Sequence, residues 1–307
     1  MKKFLPIAMD AALRAGGAIL EIYKRDFEVE FKADESPLTE ADKAAHYIIV
    51  DALEDLGLPV LSEESKAIEY EERKDWQKYW LVDPLDGTKE FIKKNGEFTV
   101  NIALIENGCP VMGVVYAPVL KTLYVGIVGE GAFRATGDDL FQCLEVGNTD
   151  GLAFSQGLGK VGEPLPLQSA IGNRQSTIRV VASRSHCNAE TKAFIAELEK
   201  DGRVELVSSG SSLKLCLVAE GSADVYPRIA PTMEWDTAAA QAVVEASGGS
   251  VVRYNPAVPA ASYLCGKLDV ESGMSEGGHP TSHLPQSTEA LSYNKADLLN
   301  PYFVVSR

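Results

Sequence analysis

No apolar run in this chain approaches the ~20 residues a membrane-spanning helix needs, so an integral helical membrane protein is not expected. The N-terminus, Met1-Lys2-Lys3-Phe4-Leu5-Pro6, starts as a signal peptide does, but Asp10 and Arg14 interrupt the apolar segment that would have to follow. Positive charge is scarce: 29 Lys and Arg stand against 44 Asp and Glu, for a formal net charge of -15. Sequence-independent binding to a nucleic-acid backbone needs dense Lys and Arg, so a nucleic-acid polymer is not expected as a partner. A small phosphate ester stays open, because acids that gather divalent cations make a site locally positive once the ions are bound. Five cysteines (Cys109, Cys143, Cys187, Cys216 and Cys265), with no Cys-x-x-Cys pair, point to buried free thiols rather than to disulfides or zinc.

What the chain does have is 307 residues, 45% of them hydrophobic, enough for a sizeable core in one large domain or two halves. Apolar groups at Phe4, Ile7, Ala8, Ala11, Ala15, Ala18, Ile19 and Ile22 form a helical stripe over residues 3–24. Phe27 to Phe31 alternates as a strand does, and Thr39-Glu40-Ala41-Asp42 reads as a capping box opening a helix to about Leu56. Val100–Glu106 and Val111–Ala117 flank Asn107-Gly108, a strong hairpin signal, and Leu123–Val128 and Gly131–Arg134 continue the meander. Beyond residue 177 strands and helices alternate, which suggests a second sheet with helices on its faces. Pattern alone therefore gives an α/β chain with two subdomains. Residues 137–177 and 255–290, poor in periodicity, read either as an elaborated rim of a site or as insertions without a role.

Chemistry concentrates in Trp80-Leu81-Val82-Asp83-Pro84-Leu85-Asp86-Gly87-Thr88. Two carboxylates lie three residues apart in a proline-locked turn between an apolar strand and a helix start, where Thr88 offers a hydroxyl and an amide. Acids for a hard cation beside an anion-binding turn suit metal-assisted phosphate chemistry, since Mg²⁺ is held by a few carboxylates and the substrate's own oxygens. The same residues also suit a plain tight connection. Upstream, a short strand ends in Ser62-Glu63-Glu64, and strands of an α/β sheet deliver functional residues at their carboxyl ends. Downstream, Trp235-Asp236-Thr237-Ala238-Ala239 opens an Ala-rich helix, where Asp236 by itself reads as an N-terminal cap.

Taken in this order, Ser-Glu-Glu, Asp-Pro-Leu-Asp-Gly-Thr and Trp-Asp-Thr-Ala-Ala resemble the lithium-sensitive, magnesium-dependent phosphatase family that includes inositol monophosphatase. Further segments look like its branch of bacterial 3′(2′),5′-bisphosphate nucleotidases of sulfur assimilation. They are Lys32-Ala33-Asp34-Glu35-Ser36-Pro37-Leu38-Thr39, Gly87-Thr88-Lys89-Glu90-Phe91-Ile92, Asn95–Leu104, Ser183-Arg184-Ser185-His186 and Gly210-Ser211-Ser212-Leu213-Lys214. The resemblance covers most of residues 1–136 and 178–254, with a short C-terminal tail. It implies an αβαβα layered sandwich with the active site between an N-terminal half, residues 1–177, and a C-terminal half, residues 178–307.

By the same resemblance Glu63, Asp83, Asp86, the Leu85 carbonyl and Asp236 hold two or three Mg²⁺, one of which lowers the pKa of the attacking water. Thr88 and Asp42 match the pair that orients that water, and Asp34 matches an acid acting as base. Glu63, Leu85, Gly87, Thr88, Ser183, His186, Gly210, Lys214 and Asp236 match substrate-binding positions, with Tyr226 and Arg228 as candidates near the base or 5′-phosphate. Outside the resemblance, Lys214 reads as an ordinary outer-face lysine and His186 as a structural histidine. The implied substrate is adenosine 3′,5′-bisphosphate, with its sulfated analogue. An inositol phosphate or sugar bisphosphate, and a non-enzymatic metal-dependent nucleotide sensor, are the alternatives. The retained Thr88, Asp42 and Asp34 speak against the sensor, and the Lys-Ala-Asp and Gly-Ser-Ser-Leu-Lys segments favour the nucleotide. The implied setting is cytoplasmic, with peripheral inner-membrane association the one membrane role left open, as a monomer or homodimer.

Overall fold

The computed structural model describes residues 2–31, 37–137, 139–140, 162–171, 177–182, 188–264 and 289–307. The first helix, α1 (Leu5–Tyr23), buries Ala8, Ala11, Ala15, Ile19 and Ile22 of the stripe its periodicity predicts and adds Leu5, Met9 and Ala12, while Phe4, Ile7 and Ala18 are only half-buried. A small hairpin, β1 (Val29–Phe31) and β2 (Pro37–Thr39), leads into α2 (Glu40–Glu54), whose capping box at Thr39 and Asp42 is formed. Next come β3 (Val60–Ser62), α3 (Tyr70–Arg73), β4 (Lys78–Asp86), α4 (Thr88–Ile92), β5 (Thr99–Glu106), β6 (Cys109–Ala117), β7 (Thr122–Ile127), β8 (Gly131–Thr136) and β9 (Glu163–Pro164). The strands from β3 to β9 form one seven-stranded sheet in sequential order, with only the β3–β4 pair parallel.

After α5 (Gln168–Ile171), the chain alternates as expected: β10 (Thr177–Val181), α6 (Ala189–Leu198), β11 (Arg203–Val207), α7 (Leu213–Ala219), β12 (Val225–Arg228), α8 (Ala238–Ala246), β13 (Ser250–Arg253) and β14 (Phe303–Ser306). These strands form a five-stranded mixed sheet ordered β11-β10-β12-β14-β13. Helices α1 and α2 cover the outer face of the large sheet, α7 and α8 fill the space between the sheets, and α6 covers the outer face of the small one. The result is the αβαβα sandwich. Strand pleating explains the layering: Trp80 and Val82 point into the α1–α2 core, whereas Tyr79 and Leu81 point into the core around α7 and α8. A strand buried on both faces reads as a continuous apolar run. Helix α8 lies directly on the large sheet, because a Cβ on Gly113 would sit 2.0 Å from the Ala239 carbonyl oxygen.

Several local expectations need correction. Asp83 and Asp86 do not lie in a turn after the strand; β4 runs through both, pairing Asp83 with Asn101 and Asp86 with Thr99 across a β-bulge. Proline has no amide to give to the ladder, and a bulge is where a strand accommodates it. The Ala-rich helix begins at Ala238 rather than Trp235, with Thr237 at its N-cap. The C-terminal strand β14, which periodicity did not single out, inserts between β12 and β13. Cys216 is a buried free thiol as expected, but Cys109 is exposed, and Cys143, Cys187 and Cys265 lie outside the described residues. No helix among the described residues is long and apolar enough to cross a membrane.

Candidate metal centre and substrate cleft

Parallel pairing of β3 with β4 sets Ser62 beside Val82, and the Glu63 amide donates to the Val82 carbonyl at 3.1 Å. Glu63 therefore leaves the sheet next to Asp83. Asp83 is held in turn by the Leu85 amide, which donates to its Oδ1 at 3.0 Å across the bulge. Asp236 arrives from the other side, on the turn before α8, where its Oδ2 accepts from the Met233 amide at 2.9 Å. That bond runs backwards along the chain, so Asp236 does not cap the helix. Carboxylate oxygens of Glu63, Asp83 and Asp236 all lie within 4.8 Å of one another. Asp86 stands beside this trio, its Oδ2 accepting from Ser211 Oγ (2.8 Å), Ser212 N (2.6 Å) and Ser212 Oγ (2.8 Å).

Thr88 opens α4 behind Gly87, whose φ of +91° favours glycine. The Thr88 hydroxyl lies 3.2 Å from Asp42 Oδ1 and 3.3 Å from the Leu85 carbonyl, and its single proton can serve either. Asp42 is buried, and its other oxygen accepts from Thr39 N (2.8 Å) and Thr39 Oγ1 (2.6 Å). The capping role and the contact with Thr88 coexist in one carboxylate.

A cleft opens beside the acids, and Asp86, Gly87, Gly210, Lys214 and Asp236 line it together with Tyr226 and Arg228. Gly210 is required by crowding, since a Cβ there would come within 2.7 Å of the Glu97 carbonyl oxygen. Glu63, Leu85 and Thr88 do not line this cleft but stand beside its acids through the contacts above, whereas Asp34, Ser183 and His186 fall outside the described residues. Sequence reasoning missed Lys89 and Thr232, which also line the cleft, and the bridging role of Ser212. Ser212 Oγ accepts from Asn101 Nδ2 at 2.9 Å and lies 2.7 Å from the Asp236 carbonyl, so it links both halves of the acidic cluster. The Gly-Ser-Ser-Leu-Lys segment carried the signal, but nothing local distinguishes a bridging serine from a helix-start serine.

A model of the inositol monophosphatase family matches residues 1–289. The chain belongs to the inositol monophosphatase family. Among similar family members is the 3′(2′),5′-bisphosphate nucleotidase CysQ of Escherichia coli strain K12, 46% identical over 244 residues, which cover 78% of this chain and 86% of that one. The Haemophilus influenzae protein of the same name is 35% identical over 298 residues, 96% of this chain and 89% of its own. The crystal structure of CysQ from Bacteroides thetaiotaomicron, described as a bacterial family member, is 48% identical with a TM-score of 0.74, covering 98% of this chain and 95% of that one. An inositol monophosphatase from Thermotoga maritima, at 20% identity and a TM-score of 0.62, shares the fold.

The acids of this family member suit a hard divalent cation. Asp83 Oδ2 is buried without a hydrogen-bond partner among the described residues, an orphaned oxygen that a cation would satisfy. Burial, then repulsion from Glu63, Asp86 and Asp236, pushes the Asp83 carboxyl well above the usual carboxylate range. Asp236 is pushed up to about 8 by burial and by Asp86 and Glu63. A bound dication reverses this balance, because its charge becomes the largest in the site. The donors are all oxygen, the set preferred by Mg²⁺, Mn²⁺ and Ca²⁺ over softer metals.

Proposed function

We propose that this protein is a 3′(2′),5′-bisphosphate nucleotidase, which hydrolyses adenosine 3′,5′-bisphosphate to AMP and phosphate and its sulfated analogue to adenosine 5′-phosphosulfate. The observation that carries the reading is a cleft lined both by Asp86 and Asp236, the latter a member of the three-acid cluster with Glu63 and Asp83, and by the cations Lys214 and Arg228. A substrate with a scissile phosphate and a second, remote phosphate fits that division of charge. The names borne by relatives at 46% and 48% identity support it.

In this reading Glu63, Asp83, Asp86, the Leu85 carbonyl and Asp236 hold two or three Mg²⁺. When bound, Mg²⁺ polarises the phosphoryl oxygens and acidifies water. The chain's own groups orient the reaction. Asp42 accepts the Thr88 hydroxyl proton, which leaves a Thr88 lone pair to accept from the attacking water. Lys214 takes the remote phosphate as a point charge. Arg228, which lines the cleft, is anchored by its Nη2 donating to the Pro231 carbonyl at 2.7 Å. Water forms the new P–O bond as the bond to the 3′ oxygen breaks; the water gives up one proton and the 3′ oxygen takes one up, so that the products are the 3′-hydroxyl and inorganic phosphate. Asp34 as base, and Ser183 and His186 as nucleotide contacts, belong to the same proposal, as do the two halves 1–177 and 178–307, a cytoplasmic location and a monomer or homodimer.

The test is phosphate release with Mg²⁺ from adenosine 3′,5′-bisphosphate, inositol 1-phosphate and fructose 1,6-bisphosphate at equal concentration. Fastest release from the nucleotide is expected. Faster release from either other substrate overturns the assignment.

A further inference from the structure

The turn that carries Asp236 is gripped by a segment from the end of the chain, residues 294–300. Asn300, only 3% exposed, donates through Nδ2 to the Met233 carbonyl (2.8 Å) and to Thr237 Oγ1 (2.9 Å), one on each side of Asp236. Its amide donates to the Thr232 carbonyl at 2.8 Å, and the Glu234 amide donates to the Leu298 carbonyl at 2.9 Å. Glu234 is fully buried. Its carboxylate turns to this segment, accepting from Asn294 N (2.7 Å), Lys295 N (3.1 Å) and Lys295 Nζ (2.5 Å). Arg73, from the N-terminal half, closes the chain of contacts by donating to Asn294 Oδ1 and to the Lys295 carbonyl, both at 2.8 Å.

A buried ion pair is a poor way to stabilise a fold, because desolvating both charges offsets their attraction. Its value lies in orientation, and the element it orients is the turn whose Met233 amide holds the Asp236 carboxylate. We infer that Asn300 and the Glu234–Lys295 pair form a clamp that positions the Asp236 carboxylate and so sets the affinity of the acidic cluster for its divalent cation. The inference rests on the reading of Asp236 as a metal ligand.

The test is direct calorimetric titration of the whole protein with Mg²⁺, alongside kcat and KM for adenosine 3′,5′-bisphosphate at rising Mg²⁺. Asn300→Ala, and Asn300→Leu to refill the volume, should each weaken Mg²⁺ binding by about 10- to 100-fold, the usual effect of removing a partner that orients a ligand. Turnover should recover as Mg²⁺ is raised, and KM for the nucleotide at saturating Mg²⁺ should stay near that of the unsubstituted protein. A folded variant with a lowered melting temperature but unchanged Mg²⁺ affinity would make the clamp merely structural and overturn the inference. Should the Asn300 variants not fold, Lys295→Met, whose side chain is 27% exposed, is read in the same way. Asp236→Asn separates the two levels. Undiminished Mg²⁺ binding in Asp236→Asn defeats the ligand reading itself, whereas lost binding there with normal binding in the clamp variants defeats only the clamp.

Discussion

Asp42 and Lys214 show how one side chain can satisfy a local rule and a distant one at once. Asp42 closes the capping box of α2 and reaches Thr88 with its second oxygen. Lys214 sits in the first turn of α7, where a solvent-facing lysine is unremarkable, yet it lines the cleft. If it meets the phosphate remote from the reacting centre, Lys214→Ala removes a charge-assisted contact worth about 1.5–3 kcal/mol, or roughly 10- to 150-fold in binding. The loss should appear in KM for adenosine 3′,5′-bisphosphate and be far smaller for a nucleoside 3′-monophosphate, which lacks the recognised group. Steady-state kinetics on both substrates check this. An equal loss on the two would place Lys214 at the scissile phosphate or in the fold.

At the scale of elements, β4 and α2 together build the acidic wall of the candidate site. The bulge in β4 turns two acids of one strand toward different partners, Asp83 to the trio with Glu63 and Asp236, and Asp86 to Ser211 and Ser212. Helix α2 supplies Asp42 at the orientation its cap dictates, since Thr39 donates to Asp42 Oδ2 through both its amide and its hydroxyl. Thr39→Ala removes the hydroxyl from this arrangement. It should cost about 0.5–2 kcal/mol of stability, the range for losing an N-cap side chain, and lower kcat more than it changes KM. Denaturant unfolding and steady-state kinetics measure the two effects, and an unchanged kcat would detach the cap from the chemistry.

For the whole molecule, the gathered acids couple folding to pH and to metal. Asp83 and Asp236 are raised in the folded state above the ordinary carboxylate value of about 4, Asp236 to about 8. The folded state therefore holds protons that the unfolded chain releases. Their contribution to stability is full below about pH 4 and falls as pH rises toward 8. The metal-free protein should accordingly lose melting temperature across that window, and Asp83→Asn should flatten the loss. Mg²⁺, which binds the folded state, should raise the melting temperature most at the alkaline end, where the carboxylates are charged. Thermal melts from pH 5 to 8 with chelator and with Mg²⁺ test this, and a pH-independent metal-free protein would contradict the electrostatics of the cluster.

Much of this protein was determined by sequence alone, because its signals are local. The stripe of α1, the Thr39–Asp42 box and the turn at Asn107 and Gly108, with φ of 52° and 75°, follow from periodicity and backbone preference within a few residues. The acids of Ser-Glu-Glu and Asp-Pro-Leu-Asp-Gly are read the same way, although a bulge and a turn share one composition, so the sequence suggested a turn where β4 continues. Only the tertiary structure decided which distant groups meet. Asp236 joins Glu63 and Asp83 because α8 settles onto the small residues of the large sheet, Gly113 and Gly126, whose missing side chains let the helix approach. Strand β14 enters between β12 and β13, and Glu234 turns from the neighbouring acids to Lys295, for reasons of long-range packing that leave no periodic trace in the sequence. Local torsion and burial preferences are written residue by residue, whereas the register of distant elements is set by how their surfaces fit once both have formed.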